Sequence, residues 1–121
     1  MKQILIANIR DLLPPSMWPA WYVYVGRENK GWKLAESPLA NPYKVGMNYC
    51  GYYTREEVVA VYSQKVLRAY NNVPVSEEVI AELARLRALF KRHGKLVLVC
   101  WCAPKRCHAE AIREFLNDPS A

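Results

Sequence analysis

A segment of nine residues, 100–108, holds most of the side chains in this sequence that could do chemistry. It contains three of the four cysteines and one of the two histidines of the chain. The apolar run at residues 96–99 before it predicts a buried strand, and a helix is predicted to begin at about His108. Because ligands of α/β proteins bind where a strand gives way to a helix, this segment is the first candidate site.

A metal site is one interpretation of the cluster. Cys100 and Cys102, at alternate positions of a strand, would join Cys107 and His108 as four ligands of the type that zinc prefers. The spacing differs from that of common zinc modules, which carry C-x-x-C pairs on turns. Neighbouring side chains at a helix start also diverge by about 100°. We therefore predict no metal ligand here, and we interpret Cys100 as a small core residue.

An activated thiol and an anion site are the other two interpretations. Cys107 is predicted at a helix N-terminus beside Lys105, Arg106 and His108, and such surroundings lower the pKa of a thiol. His108 could then act as an acid or a base, with Glu110 orienting it. Alternatively, the backbone N–H groups of the helix start and the two cations form a seat for a phosphate group. The residues alone leave both interpretations open.

Three further side chains are candidates for contacts with a ligand. Arg27 follows Gly26 at a predicted strand end, so it would share the ligand edge if its strand is parallel to the one before Cys100. Asn41 precedes a proline, which favours extended backbone, and its amide could bind a ligand or pin the loop. Arg55 lies in the first turn of a predicted helix, where a cation opposes the helix dipole and a ligand contact becomes more credible.

The elements that must position these residues follow from periodicity and capping. Thr54 and Glu57 form a predicted capping box at one helix start, and Gly94 is a predicted helix end. Residues 28–53 show no sustained period, and their aromatic side chains predict an ordered loop over the ligand edge. The predicted strands are residues 3–9, 21–25 and the run from 95, and the predicted helices are residues 54–71, 76–93 and 108–117.

This order of elements predicts a small Rossmann-like, three-layer α/β/α fold with a partly parallel central sheet. The alternative is an α+β fold with an antiparallel pair at the front. The length of 121 residues fits one domain, residues 1–121, with residues 118–121 as a C-terminal tail.

Composition limits the class of partner. The net charge of +6 favours anions, either phosphate-bearing small molecules or nucleic acid. We find no apolar run long enough for a membrane span and no signal-peptide core, so we expect no membrane association and a cytoplasmic location. The cysteine spacing is also unlike a secreted disulfide framework. The four tryptophans would suit either a homo-oligomer interface or the core.

Several of these motifs together resemble a known family. They are the strand end at residues 25–27, the S-P-L-A-N-P-Y string at 37–43, the T-R-E-E string at 54–57, and the C-W-C-A-P-K-R-C-H string at 100–108. The chain thus resembles, over residues 6–116, bacterial and phage proteins classed as domain of unknown function 4326. In that pattern Gly and Asp often follow the Cys-His pair, and this chain has Ala109 and Glu110. The resemblance implies no particular activity.

We expect the protein to bind a nucleotide or another phosphate-bearing ligand. One alternative is a zinc-stabilised module that binds nucleic acid or another partner, and a second is a phage-type protein that sequesters nucleotides without turnover. The residues leave open whether the protein is an enzyme, and they identify no cofactor. The predicted catalytic residues are Cys107, His108 and Glu110, and the predicted ligand-binding residues are Arg27, Asn41, Arg55, Cys102, Lys105 and Arg106.

Overall fold

The fold is a small mixed α/β domain with a sheet of three strands. It is known from a computed structural model that describes residues 3–41, 54–68, 74–101 and 107–117. The elements in chain order are β1 (Gln3–Asn8), β2 (Tyr22–Tyr24), α1 (Arg55–Lys65), α2 (Glu77–His93), β3 (Lys95–Cys100) and α3 (His108–Asn117). No described helix is both long and apolar enough to cross a membrane.

The sheet has the order β1-β3-β2, and both pairings are parallel. β3 is the central strand, and its side chains are buried on both faces of the sheet, which explains its unbroken apolar sequence. Val25, one residue beyond the end of β2, still pairs with β3: its N–H donates to Val99 O at 3.1 Å. The parallel sheet is confirmed, and the alternative with an antiparallel front pair is wrong.

The two faces of the sheet are covered differently. Side chains alternate along β3, so Leu96, Leu98 and Cys100 join the core formed with the three helices. Val97 and Val99 point to the other face. There they meet the connection after β1 and the turn after β2, including Trp18, Trp21 and Trp32. In the described part of the chain this second face carries no α-helix, so the predicted three-layer arrangement is not confirmed.

Local sequence signals set the helix ends. The Thr54 side chain accepts from Glu57 N, and Glu57 returns a bond to Thr54 N, which confirms the predicted capping box. Gly94 ends α2 with a φ of 73°, the left-handed conformation that glycine adopts at little cost. Helix α1 ends at Lys65, several residues earlier than predicted. Residues 42–53 of the predicted long loop lie outside the described residues.

Candidate functional site

The candidate site is built around the main chain that follows β2. Parallel strands end at the same edge, so the end of β2 lies beside the end of β3, as predicted for Arg27. The carbonyl oxygen of Val25 accepts from His108 Nε2 at 2.6 Å, which joins β2 to the first residue of α3. The carbonyl oxygen of Gly26 accepts from Ser37 N at 3.0 Å. Segments far apart in the sequence therefore meet at this corner.

Arg27 bonds to the loop that follows it. Its Nε and Nη2 donate to the carbonyl oxygen of Asn41 at 3.0 and 2.6 Å. Asn41 is buried, at 6% exposure, and its main-chain carbonyl is bound by Arg27; the role of its side-chain amide stays a prediction. The carbonyl oxygen of Arg27 accepts from the Tyr24 hydroxyl at 2.5 Å, and Trp101 Nε1 donates to the same hydroxyl oxygen at 3.1 Å.

His108 is held between the corner and helix α1. Its ring meets the Tyr62 ring edge-on, with centroids 5.0 Å apart. Tyr62 is fully buried, and its hydroxyl donates to the carbonyl oxygen of Leu39 at 2.7 Å. A histidine at a helix start has no packing partner in its own sequence neighbourhood. The partners here are Tyr62 and Val25, and neither is near His108 in the sequence.

These surroundings favour the neutral imidazole. Burial lowers the pKa of His108 below its usual value, and the nearby positive charge of Arg27 lowers it further. The hydrogen bond to the Val25 carbonyl raises the pKa, but its effect is smaller than that of burial. A carbonyl oxygen only accepts, so Nε2 carries the hydrogen and the neutral ring has its lone pair on Nδ1. His108 can therefore accept a proton at Nδ1.

The thiols of Cys100 and Cys107 meet in the core at the end of β3. Their Sγ atoms are 3.4 Å apart, and both side chains are buried, at 1% and 4% exposure. The Glu110 carboxylate accepts a hydrogen bond from Cys107 N at 3.2 Å and so caps the start of α3; its predicted role in orienting His108 stays a prediction. The prediction that Cys100 is a core residue is confirmed.

The structure brings together some of the predicted site residues and leaves others apart or undescribed. Arg55 is the first residue of α1 and lies seven positions before Tyr62, on the same helix face and about 10 Å along the axis. Cys102, Lys105 and Arg106 lie outside the described residues. Within the described ranges no three His, Cys, Asp or Glu side chains form a group that could hold a metal ion.

An aromatic cluster that sequence analysis missed lies at the same edge of the sheet. The Asn8 amide, at the end of β1, donates to the carbonyl oxygen of Trp101 at 3.0 Å. The guanidinium of Arg10 lies 5.6 Å from the Trp101 ring centroid, and Trp32 meets that ring edge-on at 6.0 Å. The signal available in the sequence was the position of Asn8, Tyr24 and Trp101 at three strand ends.

Two connections leave this edge in opposite directions. The chain after β1 covers the face with Val97 and Val99, while α3 after β3 packs on the helical face. Adjacent parallel strands whose connections diverge in this way leave a crevice at their carboxyl ends, where α/β proteins bind ligands. Trp101 and Asn8 lie at the ends of β3 and β1 on this edge, and His108 contacts Val25 just after β2.

Comparison with known proteins identifies a family. The family described as "Domain of unknown function (DUF4326)" matches residues 15–118, which is most of the chain. The matched range includes the corner at Arg27, the aromatic residues Trp32 and Trp101, and the Cys-His segment. Neither the curated proteins nor the solved structures contain a significant match. The protein belongs to the DUF4326 family.

Proposed function

We propose that the protein binds a nucleotide, or a closely related phosphate-bearing ligand, at the carboxyl edge of its sheet. The observation that carries the proposal is the meeting of Arg27 and the start of α3 through the bond between His108 and Val25. A positive side chain and a helix N-terminus at the carboxyl end of parallel strands are the usual components of a phosphate site. The Rossmann-like character of the fold is part of this proposal.

The phosphate would be bound mainly by electrostatics. The N-terminus of α3 provides the positive end of the helix dipole and backbone N–H groups other than that of Cys107, which donates to Glu110. Arg27 adds a permanent charge, and its bond to the Asn41 carbonyl fixes the guanidinium without cancelling that charge, because the carbonyl is neutral. Lys105 and Arg106, which precede α3 in the sequence, are proposed to complete the site.

The aromatic cluster favours a nucleotide over inorganic phosphate. Trp101 and Trp32 offer ring surfaces beside the proposed phosphate site, and Arg10 already lies against one of them. Nucleobases stack on aromatic side chains, and each such contact contributes about 1–3 kcal/mol. We therefore assign the base to the Trp101 side of the crevice and the phosphate to the α3 side.

His108 would perform any proton transfer. Its neutral ring has the lone pair on Nδ1, while Nε2 is fixed to the Val25 carbonyl, so the ring is oriented for a base. A cytoplasmic location and a bacterial or phage origin complete the proposal. Turnover is tested by incubating each bound nucleotide with the protein and following release of base or phosphate by chromatography. Release that is lost in His108→Gln would identify an enzyme, and stable binding would identify a sequestering protein.

Binding itself is tested by thermal unfolding with a panel of nucleotides and with inorganic phosphate. A ligand that binds only the folded state stabilises it by about 2.7 kcal/mol at 100 times its Kd, which is a shift of several degrees. The diagnostic variant is Lys105→Ala/Arg106→Ala, which removes two adjacent charges before α3. The matched control is Lys91→Ala/Arg92→Ala, which removes the same two residue types from the end of α2, at the opposite edge of the sheet.

The proposal predicts a nucleotide-dependent shift that falls strongly in the first variant and persists in the control. If the nucleotide-dependent shift falls equally in both variants, binding depends only on the net charge of the protein and not on a site before α3. If no nucleotide raises the unfolding midpoint of the unmodified protein, the proposal is wrong. Zinc in stoichiometric amount, measured on the purified protein, would favour the alternative of a zinc-stabilised module instead.

A further inference from the structure

The thiol groups of Cys100 and Cys107 have no role in the proposed binding of the ligand. The two Sγ atoms are 3.4 Å apart, against about 2.0 Å in a disulfide, so a small movement would join them. One thiol belongs to the last residue of β3, and the other to the residue just before α3. Neither is part of a disulfide in this structure.

The apolar surroundings of the pair suit a disulfide between the two thiols. In the described ranges no third His, Cys, Asp or Glu side chain joins the two thiols in a group that could hold a metal ion. Both sulfur atoms are buried among apolar core residues, where a disulfide needs no polar partner.

We propose that Cys100 and Cys107 are a reversible dithiol–disulfide pair, oxidised by a low-molecular-weight disulfide such as oxidised glutathione. In the first step one cysteine thiolate attacks the glutathione disulfide, which forms a mixed disulfide and releases one glutathione thiolate. In the second step the other cysteine thiolate attacks the protein sulfur and releases the second glutathione. Each cysteine loses one proton and one electron, and the glutathione disulfide takes up both protons and both electrons to become two thiols.

Burial of the pair has a kinetic consequence. At 1% and 4% exposure, neither sulfur can meet a glutathione molecule in the closed structure. The first step therefore needs the N-terminal turn of α3 to open, and oxidation will be slower than for exposed thiols. Once formed, the disulfide would tie the end of β3 to the start of α3 and would oppose further opening.

The test uses a variant in which these two thiols are the only ones. Cys50→Ser/Cys102→Ser retains Cys100 and Cys107, and its fold is checked by circular dichroism. The protein is equilibrated in glutathione buffers, quenched with acid, alkylated and digested with trypsin. Oxidation should link the peptide of residues 96–105 to the peptide of residues 107–113, with the loss of one hydrogen from each thiol. The control adds Cys107→Ser, which should abolish the linked product.

The glutathione dependence separates the disulfide from simple adducts. At constant oxidised glutathione, a tenfold rise in reduced glutathione should lower the ratio of linked to reduced protein about a hundredfold, because two glutathione thiols are released. A mixed disulfide would change only about tenfold. If the double variant fails to fold, the same peptide is analysed from unmodified protein, where fragmentation on either side of Trp101 distinguishes Cys100 from Cys102.

Three results would overturn the proposal. One is a folded protein whose two thiols stay reduced throughout the oxidising buffers. Another is the finding of separate glutathione adducts without a linked product. The last is stoichiometric zinc that protects both thiols from alkylation in purified protein. The outcome is independent of the ligand experiments, since no nucleotide is added.

Discussion

Acidification should destabilise the protein through His108. The folded state lowers the pKa of His108 because the ring is buried and lies near Arg27, whereas the unfolded chain takes up a proton at about pH 6.5. The stabilisation from the neutral ring is therefore complete above pH 6.5. It is lost as the pH falls below 6.5, and the loss ends once the pH is below the pKa of the folded state.

The size of the effect follows from proton linkage. One histidine that is protonated only in the unfolded chain gives a slope of at most about 1.4 kcal/mol per pH unit. Between pH 6.5 and 5.5 the free energy of unfolding should then fall by at most about 1 kcal/mol. Carboxyl groups titrate mostly below this window, so the histidines dominate it. A single domain is typically stable by about 5–15 kcal/mol, so the loss is measurable.

The assay is urea unfolding at a series of pH values, followed by tryptophan fluorescence. His108→Gln removes the titrating group, and the Gln amide can still donate to the Val25 carbonyl. His93→Gln is the matched control, because His93 is the only other histidine of the chain and lies at the end of α2. The free energy of unfolding should depend less steeply on pH in His108→Gln than in the unmodified protein. His93→Gln should keep the larger part of the slope, the part that depends on His108. Equal slopes in His108→Gln and unmodified protein would refute the reasoning.

Two further substitutions test the packing of the site. Tyr62→Phe removes the hydroxyl that satisfies the buried Leu39 carbonyl and should lower the free energy of unfolding by about 1–3 kcal/mol, measured by urea unfolding. Tyr22→Phe on β2 is its control. An equal loss of stability in Tyr22→Phe would contradict the role given to the Tyr62 hydroxyl. Gly26→Ala would place a methyl group 2.5 Å from the Tyr24 hydroxyl oxygen and should cost about 1–3 kcal/mol. Gly26→Ala should cost less in a Tyr24→Leu background. If the losses of stability from the two substitutions simply add, the proposed clash between the methyl group and Tyr24 is wrong.

Much of the framework could be predicted because its signals are local. The capping box at Thr54, the glycine after α2 and the apolar run of β3 each specify a short segment through its own side chains. The start of α3 at His108 was also predicted. We predicted a partly parallel sheet from the apolar character of β3 and from the order of helices and strands along the chain.

The packing of the site could not be predicted, because it depends on contacts between distant residues. The bond between His108 and Val25 spans 83 positions, and the bond between Trp101 and Tyr24 spans 77. No local pattern indicates that a histidine at a helix start will pack edge-on against a tyrosine of another helix. The same holds for the cover of the second sheet face, where the loop tryptophans occupy a place that we had assigned to helices.

The most direct test of the proposed function is an amide chemical-shift titration of labelled protein with the nucleotides of the panel. The proposal predicts saturable shifts at Gly26, Arg27, Cys107 and His108, with further shifts at the indole N–H groups of Trp101 and Trp32. The end of α2 and the start of β3 should not respond. Saturable shifts that map to that opposite edge, or no saturable shift with any nucleotide, would contradict the proposal.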